Sequence, residues 1–220
     1  MSIGITSVVT DVRALVNDSN TPYRYSDATL MSFLNLTLNT ILQLRPDLFN
    51  TYGDIVCTTG EVLQSAPVDS HRIVDVIRVK GGNSVREVNR LSVTSGYASW
   101  MAVANGTATD WMRHPRDPNR FYIYPPSSAS QELVLEYTKV PTIYTSTTGT
   151  ITELPLSYSP TVVSGIIALL ESVDDEHVSS GRAKMYMDIF MQNLGLTLQN
   201  RPITDMDGVG LPSLPKESPA

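Results

Sequence analysis

Cysteine and charge are both scarce in this chain. Cys57 is the only cysteine among 220 residues, which excludes an intrachain disulfide and a cysteine-based zinc site within one copy. Charged residues make up 17%, below the average for soluble proteins. Such a surface is either solvated by the abundant Ser and Thr or covered by sister subunits. The charge that is present leans acidic, at −6 overall. A direct grip on phosphates needs clustered Lys and Arg, so this balance argues against a nucleic-acid-binding chain. Long apolar runs are missing as well. The longest, Ile166 to Leu170, falls far short of the ~18 residues of a membrane span. The start, Met1 to Ile5, lacks the basic flank and apolar block of a signal peptide. The expected setting is a reducing cytoplasm or a particle assembled there. A chain of this length buries roughly 70% of its unfolded surface, so it needs no disulfide or metal to hold a core.

Motifs that would carry chemistry are also missing. Ser, His and Asp occur, but without the Gly-x-Ser-x-Gly elbow of a hydrolase. Gly81-Gly82-Asn83-Ser84 lacks the lysine and second glycine of a phosphate loop and reads as a hairpin turn. His71, His114 and His177 have no second histidine at ligand spacing. Asp174-Asp175-Glu176-His177 is rich in oxygens but lacks the spaced pattern of a calcium loop, and a solvated helix–helix turn is the simpler reading. Three Asn-x-Ser/Thr triplets, at Asn17, Asn35 and Asn105, are chance matches without a secretory route. No catalytic residue, cofactor or metal is assigned.

Arg113, Arg116 and Arg120, with Trp111, Phe121 and Tyr122, form a basic and aromatic mixture of the kind that binds single strands. Asp110 and Asp117 dilute it, so structural strands with some interface use are preferred. Met185, Met187 and Met191 lie on one helix and read as core or subunit-contact surface.

Apolar residues recur at helical spacing at both ends of the chain. Ile5, Val8, Val9, Val12, Leu15 and Val16 mark a first helix, closed by the turn residues Asn17 to Pro22. Ser26 is placed to cap a second helix, with Asp27 at its positive end. That helix carries Leu30, Phe33, Leu34, Leu38, Ile41 and Leu42 and stops at Arg45-Pro46. Near the other end, Ser159-Pro160 predicts a helix start with Ser159 as the cap. Val162, Val163, Ile166, Ile167, Leu169, Leu170 and Val173 cover more than one face, so this should be a central helix. Met185, Tyr186, Ile189, Phe190 and Leu194 mark the last one.

Between them the period changes. Ile55 to Thr59, Val62-Leu63 and Ile73 to Val79 are strand-like, and Val85 to Val88 reads as a strand returning from Gly81-Gly82. Tyr97 to Asn105 follows no single period. Pro115 to Asn119 forms a turn that leads from Trp111-Met112 into Phe121 to Tyr124, and Pro125-Pro126 stops that strand. Leu133, Leu135 and Tyr137 alternate with polar neighbours. Pro141 to Thr152 reads as a Thr-rich loop. The expected fold is α+β: a helical bundle from residues 1–50 and 153–200, with an inserted antiparallel sandwich or barrel at 51–152. Residues 201–220, rich in Pro and Gly, are expected as an extended tail.

The order of these pieces resembles the phage head–tail adaptor proteins of the tail tubular protein A type. Tyr23-Arg24-Tyr25-Ser26-Asp27, Leu34-Asn35 and Arg45-Pro46-Asp47 are similar to that family's first helical hairpin. Asp75 to Val79, Arg86 to Arg90 and Arg116 to Pro126 resemble its β-module. Glu136 to Pro141 and Leu156-Ser157-Tyr158 resemble its exit into the C-terminal helices. The similarity runs from about Val8 to Leu196. It departs at Asp174 to Ser180, where many relatives carry a different turn, and the segment after Arg201 follows no named pattern.

The resemblance implies a structural virion protein at the head–tail junction. It implies a self-assembled ring, typically of twelve copies, between the portal protein and the tail or nozzle protein, with double-stranded DNA passing through the lumen. An acidic wall suits that passage, because it does not hold a polyanion. Arg201, Pro202, Val209, Leu211, Pro212, Leu214 and Pro215 are the candidate anchors of the tail on the portal or on a neighbouring subunit. Two other readings stay open. One is a different tail-completion or stopper ring. The other is a virion glycan hydrolase using Glu132 or Glu136 with Asp110.

Overall fold

The computed structural model describes residues 2–96, 98–173 and 180–196. The predicted Asp174–His177 turn and the seven tail anchors lie outside the described residues.

Helix α1 (Ile5–Leu15) buries Ile5, Val8 and Val12, as its spacing requires. Leu15 is the exception and is exposed. The helix ends with Asn17 in the left-handed region at φ 57°, which Asn tolerates better than most residues. The Asp18 N–H then reaches back to the Arg13 carbonyl at 2.8 Å. Helix α2 (Asp27–Leu44) starts as predicted, with the Ser26 hydroxyl accepting the Thr29 N–H at 3.1 Å.

The turn between these helices is fixed by a buried arginine. The Arg13 guanidinium bonds Asp18 at 2.7 Å, Asp27 at 2.6 Å and the Tyr25 carbonyl at 3.1 Å. Asp18 also accepts the backbone N–H groups of Arg24 at 2.6 Å and Tyr25 at 3.2 Å. The Tyr23 ring lies 3.7 Å from the guanidinium carbon. The stretch Tyr23 to Asp27 is therefore the shell of one buried charge.

Helix α4 (Ser159–Leu170) is central. Nine of its twelve residues are buried. Tyr158 occupies the cap position, and Ser159 is already helical with Pro160 in the first turn. A single 3₁₀ turn, Leu156–Tyr158, leads into the helix and displaces the expected cap by one residue. Gly165 sits where α2, α4 and α5 (Ser180–Asn193) converge. A Cβ there would stand 2.5 Å from the Thr37 methyl and 2.9 Å from the Phe190 ring. Helix α5 stops at Gly195, φ 73°, with the Leu196 N–H bonded to the Met191 carbonyl and the Gly195 N–H to Gln192. Arg45 ties the ends together, pairing with Asp47 at 2.7 Å and donating to the Leu194 carbonyl at 2.7 Å.

The helical core takes in two strands that the sequence pattern does not suggest. Strand β1 (Ser2–Gly4) pairs antiparallel with β9 (Thr150–Pro155), and Ile3, Ile151 and Leu154 join the helical cluster. The Thr-rich loop thus ends at Gly149. It is pinned to α2 by Asn35, whose side-chain amide exchanges two hydrogen bonds with the Tyr144 backbone, at 2.8 and 2.9 Å.

The inserted region holds two sheets. One has the order β2 (Asn50–Val56), β8 (Glu132–Lys139), β4 (Ser70–Val79), all antiparallel. The other has the order β3 (Leu63–Ser65), β7 (Arg120–Tyr124), β6 (Asp110–Arg113), β5 (Arg86–Glu87). Ile73, Val76, Leu133 and Leu135 from the first sheet meet Trp111, Phe121 and Ile123 from the second in one cluster, as in a sandwich.

The Gly81 turn exists, at φ 71°, but the expected returning strand does not stay with β4. After one bridge, Arg78 to Ser84, the chain leaves β4, and β5 pairs in parallel with β6. A short helix α3 (Arg90–Gly96), which the sequence pattern does not suggest, precedes the stretch without a period, and that stretch holds a 3₁₀ turn, Trp100–Ala102.

Candidate protein-docking site

The tip of the β6–β7 hairpin is built by its own polar residues. His114 Nδ1 accepts the backbone N–H groups of Arg116 at 3.3 Å and Asp117 at 2.9 Å, so a neutral ring carries its proton on Nε2. Asp117 accepts the Asn119 N–H at 2.9 Å, and its carbonyl accepts the Arg120 N–H at 3.2 Å. These local bonds favour a turn over continued strand. The tip is then anchored to both sheets. The Asn119 carbonyl accepts the Ala66 N–H at 2.8 Å, and the Pro118 carbonyl accepts the Ile73 N–H at 3.0 Å.

Beside this tip lies a cavity of about 290 Å³. Arg72, Arg113, Arg116 and Arg120 line it, with Trp111, His114 and Asp117. The predicted Arg113, Arg116, Arg120 and Trp111 therefore do come together. Arg72 joins them from β4, and no local spacing could have signalled it, because only the packing of the two sheets brings it close. Phe121 and Tyr122 play a different part. Phe121 is fully buried against Trp111, and the Tyr122 ring touches His114 and Trp100.

The arginines are not equivalent. Arg113 is a clamp: it donates to the carbonyls of Ile73 at 3.2 Å and Val74 at 2.7 Å, and to the Glu87 carboxylate at 2.7 Å. Arg120 faces Asp117 only loosely, at 3.8 Å. The Arg116 side chain is exposed and has no partner among the described residues. Trp111 is completely buried, and its indole N–H has no partner among the described residues.

The other predicted candidates are dispersed. Glu132 pairs with Lys80 at 2.5 Å, Asp110 with Arg86 at 2.7 Å, and Glu136 lies 3.4 Å from the Asn50 amide. Glu132 and Glu136 belong to β8, whereas Asp110 belongs to β6 in the other sheet. Among the described residues, no three of His, Cys, Asp and Glu come together as a metal site. No described helix is long and apolar enough to cross a membrane. Cys57 is buried, and that burial pushes its thiol up to about 11, far from a reactive thiolate. Met191 packs on the helical core, whereas Met185 and Met187 are exposed on α5.

This layout of two helical ends around a β-sandwich can be set beside known families. The sequence profile of the SU10 adaptor protein family matches residues 4–209. The chain belongs to that family. It is thus a phage head–tail adaptor, a structural protein whose partners are other virion components. A search of curated proteins gave no match. The family match extends past the described residues into the tail. It includes the candidate anchors Arg201, Pro202 and Val209 and ends before Leu211, Pro212, Leu214 and Pro215. It also covers the whole arginine-lined cavity.

Proposed function

We propose that this SU10 adaptor assembles as a ring, docks on the portal protein and joins it to the tail or nozzle protein, with double-stranded DNA passing through the lumen. Family membership is the observation that carries the reading. Two features support it. The acidic balance of −6 per chain suits a wall that does not hold a polyanion. Apolar side chains exposed on the helical part, Leu36, Met185, Met187 and Ile189, suit contact with neighbouring copies. A twelve-copy ring is the stoichiometry proposed. Arg201, Pro202, Val209, Leu211, Pro212, Leu214 and Pro215 anchor the tail in a groove of the portal or of the adjacent adaptor.

Mass photometry of the purified chain, alone and mixed with the portal ring of its own phage, tests this. A complex heavier than the portal by a fixed multiple of 24.1 kDa is expected, and that multiple counts the copies. Absence of any complex across salt conditions would refute portal docking. Unchanged affinity after deletion of residues 201–220 would refute the role of the tail.

A further inference from the structure

The arginine-lined cavity stands out against the rest of the chain. Four of the sixteen Lys and Arg residues line it, in a protein that is acidic overall. Arg72 and Arg113 are engaged by the fold, Arg72 with the Thr138 hydroxyl at 3.4 Å and Arg113 as the clamp; the exposed Arg116 has no partner among the described residues, and Arg120 meets Asp117 only at 3.8 Å. Like charges repel, and the carboxylates already present, Glu87 on Arg113 and Asp117 beside Arg120, leave Arg116 without a counter-charge at this concavity.

We infer that this cavity is a docking site for a carboxylate presented by an acidic segment of a partner protein. The guanidinium groups offer paired, planar N–H donors, a geometry suited to a carboxylate. A protein carboxylate fits better than a nucleic-acid backbone for three reasons. The cavity, at about 290 Å³, has room for a side chain or two rather than a track of phosphates. Its aromatic wall, Trp111, is buried and offers no face on which a base could stack. The rest of the chain supplies no basic groove leading to it, given the net charge of −6. The turn that presents Arg116 and Arg120 is already held by His114 and Asp117, so little ordering is lost on binding. In this arrangement Arg113 positions the wall, while Arg116 and Arg120 contact the ligand.

The inference does not depend on portal docking and can be tested on the free chain. The protein has two tryptophans, so its indole N–H groups give two separable NMR signals, one of them from the cavity wall. The probe is a capped tetraglutamate peptide, with a short oligothymidylate as the contrasting polyanion. The peptide is expected to shift the Trp111 signal saturably, and R116Q/R120Q to weaken that binding about tenfold. Both side chains are exposed, so this double variant keeps the fold, which the unchanged Trp100 signal checks. No saturable shift up to about 10 mM peptide, a range that still detects very weak affinity, overturns the inference. Binding that survives R116Q/R120Q overturns it as well. Tighter binding of oligothymidylate at the same residues does so too, and assigns the cavity to nucleic acid instead.

Discussion

The helical part and the β-sandwich of this adaptor solve the same problem in opposite ways. The helical part closes around α4 with apolar side chains, and its buried Arg13 is spent internally on Asp18 and Asp27. The sandwich has a smaller core, and its ion pairs lie at the surface: Lys80 with Asp54 and Glu132, Arg86 with Asp110, Arg113 with Glu87. Buried charge networks fix geometry and fail badly when broken, whereas exposed pairs contribute little. The first region therefore reads as a rigid frame. The second reads as a surface whose charges remain available to partners.

Probes for the two regions are already separate, which lets the comparison be broken. Trp100, Trp111 and Cys57 all lie in the sandwich, while helical circular dichroism reports mainly on the frame. The largest expected effect is from R13A, which leaves Asp18 buried without its partner. It should cost about 3–5 kcal/mol in urea unfolding. If the frame and sandwich are independent, the dichroism midpoint moves and the tryptophan midpoint does not; a joint shift would show a single cooperative unit.

Next is G165A. Its methyl group meets the Thr37 methyl and the Phe190 ring in a packed interior, and a loss of about 2 kcal/mol is expected from overpacking. A neutral result would mean that α2, α4 and α5 can separate without cost.

Third, the junction of the Thr-rich loop with β9 should respond to acid. Burial alone raises the Glu153 carboxyl, but hydrogen bonds from Thr142 and Tyr144 outweigh it and hold the group below its ordinary value. A depressed value in the folded state gives stability that is present above the ordinary carboxylate range. That stability is lost as pH falls through the folded value. E153Q should cost about 1 kcal/mol at neutral pH, and the gap from the parent should close as the medium is acidified. A gap that stays constant with pH would remove Glu153 from the acid response.

G195A should follow at about 1 kcal/mol, because only glycine adopts φ 73° without strain. The smallest effect is K80A. Lys80 is held above its ordinary value, first by its bond to Glu132 and then by its bond to Asp54, yet it is exposed. Its loss should leave the unfolding midpoint nearly unchanged. A clear shift would mean that the sandwich depends on its surface charges after all.

Much of this was legible in the chain. Helical spacing located α1, α2, α4 and α5, and the Ser26 cap formed as read, because these are local signals set by backbone geometry. The errors share a cause. Strands β1 and β9 were missed because two short strands acquire meaning only when 146 residues of sequence separation are closed by the fold between Gly4 and Thr150. The strand after Gly81 was assigned to β4 but pairs with β6, since a turn sets direction and not the eventual partner. Of the cavity, Arg113, Arg116 and Arg120 were visible as a cluster, and Arg72 was not.

The sequence by itself determined the α+β class, the placement of the four long helices around a β-rich insert, the acidic balance and the resemblance to head–tail adaptors. All of these rest on local periodicity, composition or the order of short motifs. Only the tertiary structure decided what those elements enclose. It brought β1 and β9 to the helical core, placed Gly165 at a three-helix contact, and carried Arg72 across from another sheet to three arginines of one hairpin. The physical reason is that such contacts form between residues far apart in the chain. Their cost and gain are set by burial and packing, which no local window of sequence contains.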